Sequence, residues 1–204
     1  MAKRSIPEVN AGSMADIAFL LLIFFLVTTT IETDAGLDRK LPPNEPPEDN
    51  VVIKQKNIFT VVVNKSDQLL VEDQLIELKD LKEAAIAFLD NGGGVGADGC
   101  NYCQGAKDPN SSDNPDKAII SLQNDRETSY KTYIAVQNEL VTAYNELRNR
   151  ESNRKFGIDF TEMDRLYKDP KTKPEDREKL KPRITEIQAL FPQKLSEAEP
   201  KSNQ

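Results

Sequence analysis

The feature that most constrains how this chain folds is an apolar run near its N-terminus that follows directly after a carboxylate. Residues 17–27 are apolar on every face of a helix, and Asp16 precedes them. A helix that is apolar all round needs either lipid or a large protein core around it. The remaining chain is too polar to provide such a core, with 30% charged residues and a mean hydropathy of −0.57. The run therefore predicts a single transmembrane helix over residues 14–33.

The length of the predicted span is marginal, because about 20 apolar residues are needed to cross a bilayer. Residues 28–31 extend the run without adding charge. One alternative is a buried core helix, and another is a cleaved signal peptide whose basic start is Lys3 and Arg4. The long, partly acidic N-terminal segment and the absence of a clear small-residue cleavage site after Val27 favour an uncleaved anchor.

Asp16 is the first candidate functional residue. A carboxylate near the centre of a membrane helix costs about 2.5–3.5 kcal/mol, so it usually faces a partner, a water-filled cavity or an ion path. The alternative is that Asp16 lies at the helix N-terminus, where a negative charge interacts favourably with the helix dipole. The short N-terminal segment, residues 1–13, and the large polar body that follows favour a cytoplasmic N-terminus, although the basic residues flanking the run are balanced.

Charge and residue inventory exclude several classes of function. The chain is acidic, with a net charge of −7, whereas contact with nucleic acid requires a basic face. It contains no His, which is the commonest metal ligand and general base. A Ser-His-Asp hydrolase and a zinc hydrolase are therefore excluded, and no residue pattern supports an enzyme or a cofactor site.

Residues 57–150 have the pattern of a small α+β domain, which follows a Pro-rich, acidic linker over residues 34–56. β-branched runs indicate the strands, and apolar residues spaced three and four apart indicate the helices. The predicted elements are, in chain order, a hairpin of strands over 57–64 and 69–72, a helix over 77–89, a strand over 117–123 and a helix over 129–149. This β-β-α-β-α order places the helices on one face of the sheet.

A glycine-rich insertion over residues 91–116 separates the first helix from the third strand and carries Cys100 and Cys103. It lacks the Gly-Lys-Ser/Thr of a P-loop and does not run from a strand into a helix, so it is not a nucleotide site. Zinc would need two further ligands, and the chain has neither another Cys nor a His. If the domain lies outside the cytoplasm, a local disulfide is the favoured state. Free thiols and a redox or metal role stay open as alternatives.

Residues 151–204 form a charged C-terminal extension with weak patterning. A short helix is predicted over residues 160–167, and a second helix begins at Pro174 and is interrupted or kinked by Pro182. Residues 196–204 have the composition of a disordered tail. The extension yields no functional prediction beyond packing or a docking surface.

Three segments carry a resemblance to a known family: residues 9–16 (VNAGSMAD) with the apolar run after them, Leu41-Pro42, and residues 124–130 (NDRETSY). In these segments the chain resembles the ExbD/TolR family of biopolymer transport proteins. Asn10 stands six residues before Asp16, as in that family, whereas Ser13 replaces a usual Pro. The glycine-rich insertion and residues 150–204 go beyond the family pattern, which indicates an ExbD-like subfamily with an enlarged periplasmic part.

This resemblance implies a component of an ion-driven motor in the bacterial inner membrane. It implies a periplasmic domain, a homodimer, and spans that lie in the pore of an ExbB/TolQ-like multi-span partner. Asp16 would carry protons through that pore, with Ser13, Thr28, Thr29 and Thr30 as candidate pore-lining residues. The domain would engage a TonB-like energy transducer, or the cell wall in a TolR-like branch. A passive membrane-tethered periplasmic adaptor is the alternative of another class.

Overall fold

The computed structural model describes residues 11–28 and 53–198 of the chain. These residues belong to two separate units, an N-terminal helix and a C-terminal body. Thr29, Thr30, most of the predicted linker and the last six residues of the predicted tail lie outside the described residues.

The N-terminal helix, α1, runs from Ala11 to Thr28 and begins slightly before the predicted start of the span at residue 14. Its sequence is apolar apart from Asp16 and a few small or hydroxyl residues, and the described side chains are exposed. No helix among the described residues combines the length and the apolar character required to cross a membrane. The transmembrane span therefore stays a prediction.

The body is built on a five-stranded sheet of order β3-β2-β1-β4-β5. The strands are β1 (Ile58–Val63), β2 (Leu69–Val71), β3 (Gln74–Ile76), β4 (Ile119–Asn124) and β5 (Leu195–Ala198). β1 pairs with β4 in parallel and with β2 antiparallel, which confirms the predicted hairpin and third strand. β3 was not predicted; it follows β2 through a two-residue turn at Glu72 and Asp73, whose φ angles of 48° and 64° are those of a type I′ hairpin.

The helices of the body are α2 (Leu78–Leu89), α3 (Tyr130–Phe156), α4 (Phe160–Lys168) and α5 (Pro174–Leu190). Burial alternates along β1 and β4, and the buried strand residues share one core with buried residues of α2 and α3. One face of the sheet is therefore packed against these helices, and the predicted α+β class is confirmed. α3 begins at Tyr130 after the N-cap Ser129, next to the predicted start at residue 129, but it continues past residue 149 to a left-handed cap at Gly157.

The C-terminal extension corrects two predictions. α5 continues through Pro182, so the interruption predicted there is wrong, whereas the alternative of a kink stays a prediction. Ile184 and Ile187 hold the second half of the helix in a small core with Phe160 and Met163 of α4. β5 begins one residue before the segment predicted as a disordered tail and includes residues 196–198 of that segment, for which the prediction of disorder is wrong. Its backbone pairs in parallel with β4, a partner distant in sequence that composition does not reveal.

Candidate functional site

Asp16 is the ionisable residue of α1 and lies in the first half of the helix. Its side chain is exposed, as are those of its apolar neighbours Phe19, Leu20 and Ile23. A carboxylate and large apolar groups exposed on the same helix have opposite solvent preferences. A single copy of α1 therefore does not by itself provide an enclosed site for Asp16.

Helix geometry separates the residues predicted to line an ion path. Ser13 lies three residues before Asp16, which is the spacing of neighbours on one helix face. Thr28 lies about 18 Å farther along the axis than Asp16 and about 120° around it. The Thr28 hydroxyl donates a hydrogen bond to the Phe24 carbonyl at 2.7 Å. The structure therefore brings Ser13 and Asp16 to one end of α1 and leaves Thr28 at the other.

The glycines of the insertion permit close backbone packing. A Cβ atom added to Gly93 would lie 2.0 Å from the Asp108 carbonyl oxygen, and one on Gly94 would lie 2.0 Å from that of Asp98. The amides of Gly93 and Gly94 donate hydrogen bonds to the carbonyls of Ser112 and Asp113, each at 2.9 Å. The insertion is thus a folded loop in which the glycine run pairs with the segment that leads to β4.

Cys100 and Cys103 are joined by a disulfide within the insertion, and their Cα atoms lie 5.5 Å apart. Cys103 is buried, and its amide donates a hydrogen bond to the Cys100 sulfur. Gly92, at a φ of 65°, packs directly on the pair, since an added Cβ there would lie 2.7 Å from the Cys103 Cβ. Among the described residues, no group of three or more His, Cys, Asp or Glu side chains is arranged to hold a metal ion.

A buried carboxylate, Asp113, connects the insertion to the segment that leads from the linker into β1. Lys56 Nζ lies 2.5 Å from Asp113 Oδ1, and Asn57 Nδ2 and Lys54 Nζ donate to Oδ2 at 3.1 Å each. The Asp113 amide in turn donates to Asn57 Oδ1 at 2.8 Å. Asp98 accepts a second bond from Lys54 Nζ at 3.1 Å. We name this group of five residues, Lys54, Lys56, Asn57, Asp98 and Asp113, the linker clamp.

The electrostatics of the linker clamp hold both carboxylates in the charged form. Burial alone would raise the pKa of Asp113, but hydrogen bonds from Lys56, Asn57 and Lys54 outweigh burial and lower that pKa to about 2. Hydrogen bonds from Lys117 and then Lys54 lower the pKa of the Asp98 carboxyl. Both carboxylates thus have hydrogen-bond donors and cationic partners, and such an arrangement is suited to fixing a segment in place.

Sequence reasoning did not find the linker clamp. Lys54, Lys56 and Asn57 precede β1, whereas Asp98 and Asp113 lie in the insertion, and no motif joins the two stretches. The clearest signal in the sequence was the pair of lysines, Lys54 and Lys56, that follows the acidic stretch of the linker over residues 41–50.

Comparison with known proteins adds one match. A family model described as "Biopolymer transport protein ExbD/TolR" matches residues 2–149 of the 204 residues. The matched range contains α1, α2, strands β1 to β4, the insertion and most of α3, whereas α4, α5 and β5 lie beyond it. No curated protein matches the chain.

Proposed function

Because the chain belongs to the ExbD/TolR family of biopolymer transport proteins, we propose that it is the membrane-anchored component of a complex driven by the proton motive force. In this proposal residues 14–33 span the bacterial inner membrane, with residues 1–13 in the cytoplasm and the body in the periplasm. The complex powers TonB-dependent transport across the outer membrane. The chain contributes anchoring and ion coupling, and it is not an enzyme.

The observation that supports this proposal is the position of Asp16 as the ionisable residue of an otherwise uncharged, largely apolar helix. Two copies of α1 inside the pore of an ExbB/TolQ-like partner would place Asp16 against protein and water instead of lipid. The same enclosure would make the marginal length of the span acceptable, because its hydroxyl-bearing end would not face lipid.

Proton movement through such a pore follows from the chemistry of one carboxylate. A low-dielectric pore disfavours the charged form, so Asp16 would take up a proton from the periplasmic side and release it toward the cytoplasm. Moving one charge across the membrane potential supplies about 2.3 kcal/mol per 100 mV. Loss of the charge weakens attraction to polar groups of the partner, and the dimer then steps relative to the pore.

The linker and the body carry that step to the outer membrane. The linker has the Pro-rich composition of semi-rigid spacers, and such a spacer would transmit displacement better than a Gly/Ser-rich chain of equal length. The body would then engage a TonB-like energy transducer in the periplasm.

The deciding experiment is complementation of a deletion strain with an Asp16→Asn variant, scored by TonB-dependent uptake. We expect uptake to fall at least tenfold, while pull-down of the ExbB/TolQ-like partner is unchanged, because Asn keeps the shape of Asp and loses the titratable proton. Asp73→Asn is the matched control, since Asp73 is an exposed turn residue of the body whose positive φ suits Asn equally well.

Two outcomes would contradict the proposal. Normal uptake with Asp16→Asn would identify a passive membrane-tethered adaptor in which the charge is incidental. Uptake that survives deletion of the whole gene, together with a detergent-sensitive envelope, would identify a TolR-like role in envelope maintenance or cell-wall binding.

A further inference from the structure

The segment through which the linker meets the body is tied by its polar side chains to the insertion. Lys54 and Asn57 both donate to Asp113 Oδ2, and Lys54 also reaches Asp98. Lys56 pairs with Asp113 Oδ1 and donates to the Pro109 carbonyl at 2.9 Å. The position of residues 54–57 ahead of β1 therefore depends on the conformation of the insertion.

The insertion in turn is organised around the disulfide. Gly92 packs on Cys103, and the next two residues, Gly93 and Gly94, donate their amides to the carbonyls of Ser112 and Asp113. On the other side of the disulfide, the Asp98 carbonyl accepts a hydrogen bond from Asn114 Nδ2 at 3.0 Å. A continuous set of contacts thus runs from the disulfide to the backbone of Asp113, whose carboxylate holds the linker segment.

We propose that the insertion is a redox-dependent clamp, in which the Cys100–Cys103 disulfide keeps Asp113 positioned to hold residues 54–57, and reduction releases them. This clamp does not follow from the family assignment and is separate from the proposed ion path. It uses the linker clamp residues as the holding group and the disulfide as the switch.

The redox step is a two-electron thiol–disulfide exchange with a protein or small-molecule dithiol. A thiolate of the dithiol attacks the sulfur of Cys100, the less buried of the two cysteines, and the Cys103 sulfur leaves as a thiolate. The second thiol of the reductant then displaces Cys100. The dithiol becomes a disulfide, and both cysteines take up protons and become thiols.

Release would change where the linker ends, and this mechanical consequence depends on the proposed function. With the clamp closed, displacement of the linker is delivered to the sheet at residue 54. With the clamp open, residues 54–57 move with the rest of the linker and absorb part of the displacement before it reaches β1.

Hydrogen–deuterium exchange of the full-length protein in detergent, with and without dithiothreitol, tests the clamp. We expect reduction to accelerate exchange at the amides of Asn57, Gly94 and Asp113 at least tenfold, because each of these amides is hydrogen-bonded within the clamped arrangement. The buried middle of α3 should not change. Lys82→Gln is the matched control for Asp113→Asn, since it removes a lysine–carboxylate pair with Glu146 that joins α2 to α3 and involves no residue of the insertion.

Variants that bypass the reductant complete the test. A Cys100→Ser/Cys103→Ser protein should show the fast exchange without dithiothreitol and no further response to it. Asp113→Asn should show fast exchange at the Asn57 amide in both redox states. The proposal is overturned if reduction alters exchange only within residues 99–104, which would make the disulfide a local staple. It is equally overturned if the change extends through α3, which would indicate general unfolding.

These readouts are independent of ion transport. An Asp16→Asn protein should give the same exchange pattern and the same response to reduction as the unaltered chain. A failed uptake assay and a failed clamp are therefore separate results.

Discussion

At the residue scale, the Asp113 carboxylate is a buried polar group of the body that is held by several partners. It is almost fully buried and yet charged, because cationic and amide donors reach both of its oxygens. A buried carboxylate that loses such donors is left with the full cost of desolvation. Asp113 is therefore a position at which a small chemical change should have a measurable effect on stability.

We predict that Asp113→Asn lowers the free energy of unfolding at neutral pH by about 1–3 kcal/mol, the usual range for disrupting a buried hydrogen-bonded charge. Asn retains the size of the side chain but cannot pair with Lys56. Urea denaturation followed by circular dichroism would measure the difference. An unchanged midpoint would mean that the ion pairs of Asp113 contribute nothing to stability.

The same carboxylate predicts a pH dependence. Its folded-state pKa of about 2 lies below the ordinary 3.8, so its stabilising contribution is present above the ordinary value and is lost as the pH falls toward the folded-state value. The stability difference between the natural chain and Asp113→Asn should therefore be constant above about pH 5 and should shrink between pH 4 and pH 2. A difference that grows on acidification would contradict this assignment.

At the scale of elements, local patterns predicted the structure where a segment specifies its own conformation. β1, β2, β4, α2, α4 and the start of α3 follow from β-branched runs or apolar periodicity. β3 and β5 were missed because each has only three or four residues and is held by its neighbour in the sheet. The linker clamp was missed for the same physical reason, since its ion pairs join residues far apart in sequence.

α5 provides a prediction at this scale, because it contains an internal proline and stays helical through its packing. Pro182 is exposed and lies inside the helix, where it removes one backbone hydrogen bond. Pro182→Ala should raise the free energy of unfolding by about 1–3 kcal/mol. Thermal unfolding would detect this as a higher Tm.

Pro174 is the matched control for that change. It lies at the first position of α5, where the missing amide hydrogen costs nothing and the fixed φ suits the helix. Pro174→Ala should therefore leave the Tm unchanged or lower it slightly. Equal stabilisation by both substitutions would show that α5 is not restrained by Pro182 in particular.

At the scale of the whole molecule, the C-terminal extension is an integral part of the body even though it lies beyond the matched family range. Phe191 is fully buried in the main core, and its carbonyl accepts two hydrogen bonds from the buried Arg148 at 2.7 and 3.0 Å. Tyr102 of the insertion donates to the Leu190 carbonyl at 2.8 Å. The extension, α3 and the insertion are thus connected through one corner of the core.

We predict that Phe191→Ala lowers the free energy of unfolding by about 3–5 kcal/mol, the usual cost of removing a buried aromatic side chain. Leu75→Ala serves as the comparison, because Leu75 is 66% exposed and its loss should change stability by about 0.5 kcal/mol or less. Chemical denaturation of the full-length protein would measure both. Similar effects at the two positions would mean that the extension is not part of the cooperative core.

The parallel pairing of β5 with β4 also sets the order of events during biosynthesis. β5 is the last strand among the residues that the structure describes, and the amide of Ile120 in β4 donates a hydrogen bond to the carbonyl of Lys194 just before it. Until residues 195–198 have emerged from the ribosome and from any export channel, the edge of β4 away from β1 has no strand beside it. An open edge is a template for pairing between nascent chains. Chains that stall or are cut shortly before residue 195 should therefore aggregate. A chaperone that assists this protein would act during that late interval.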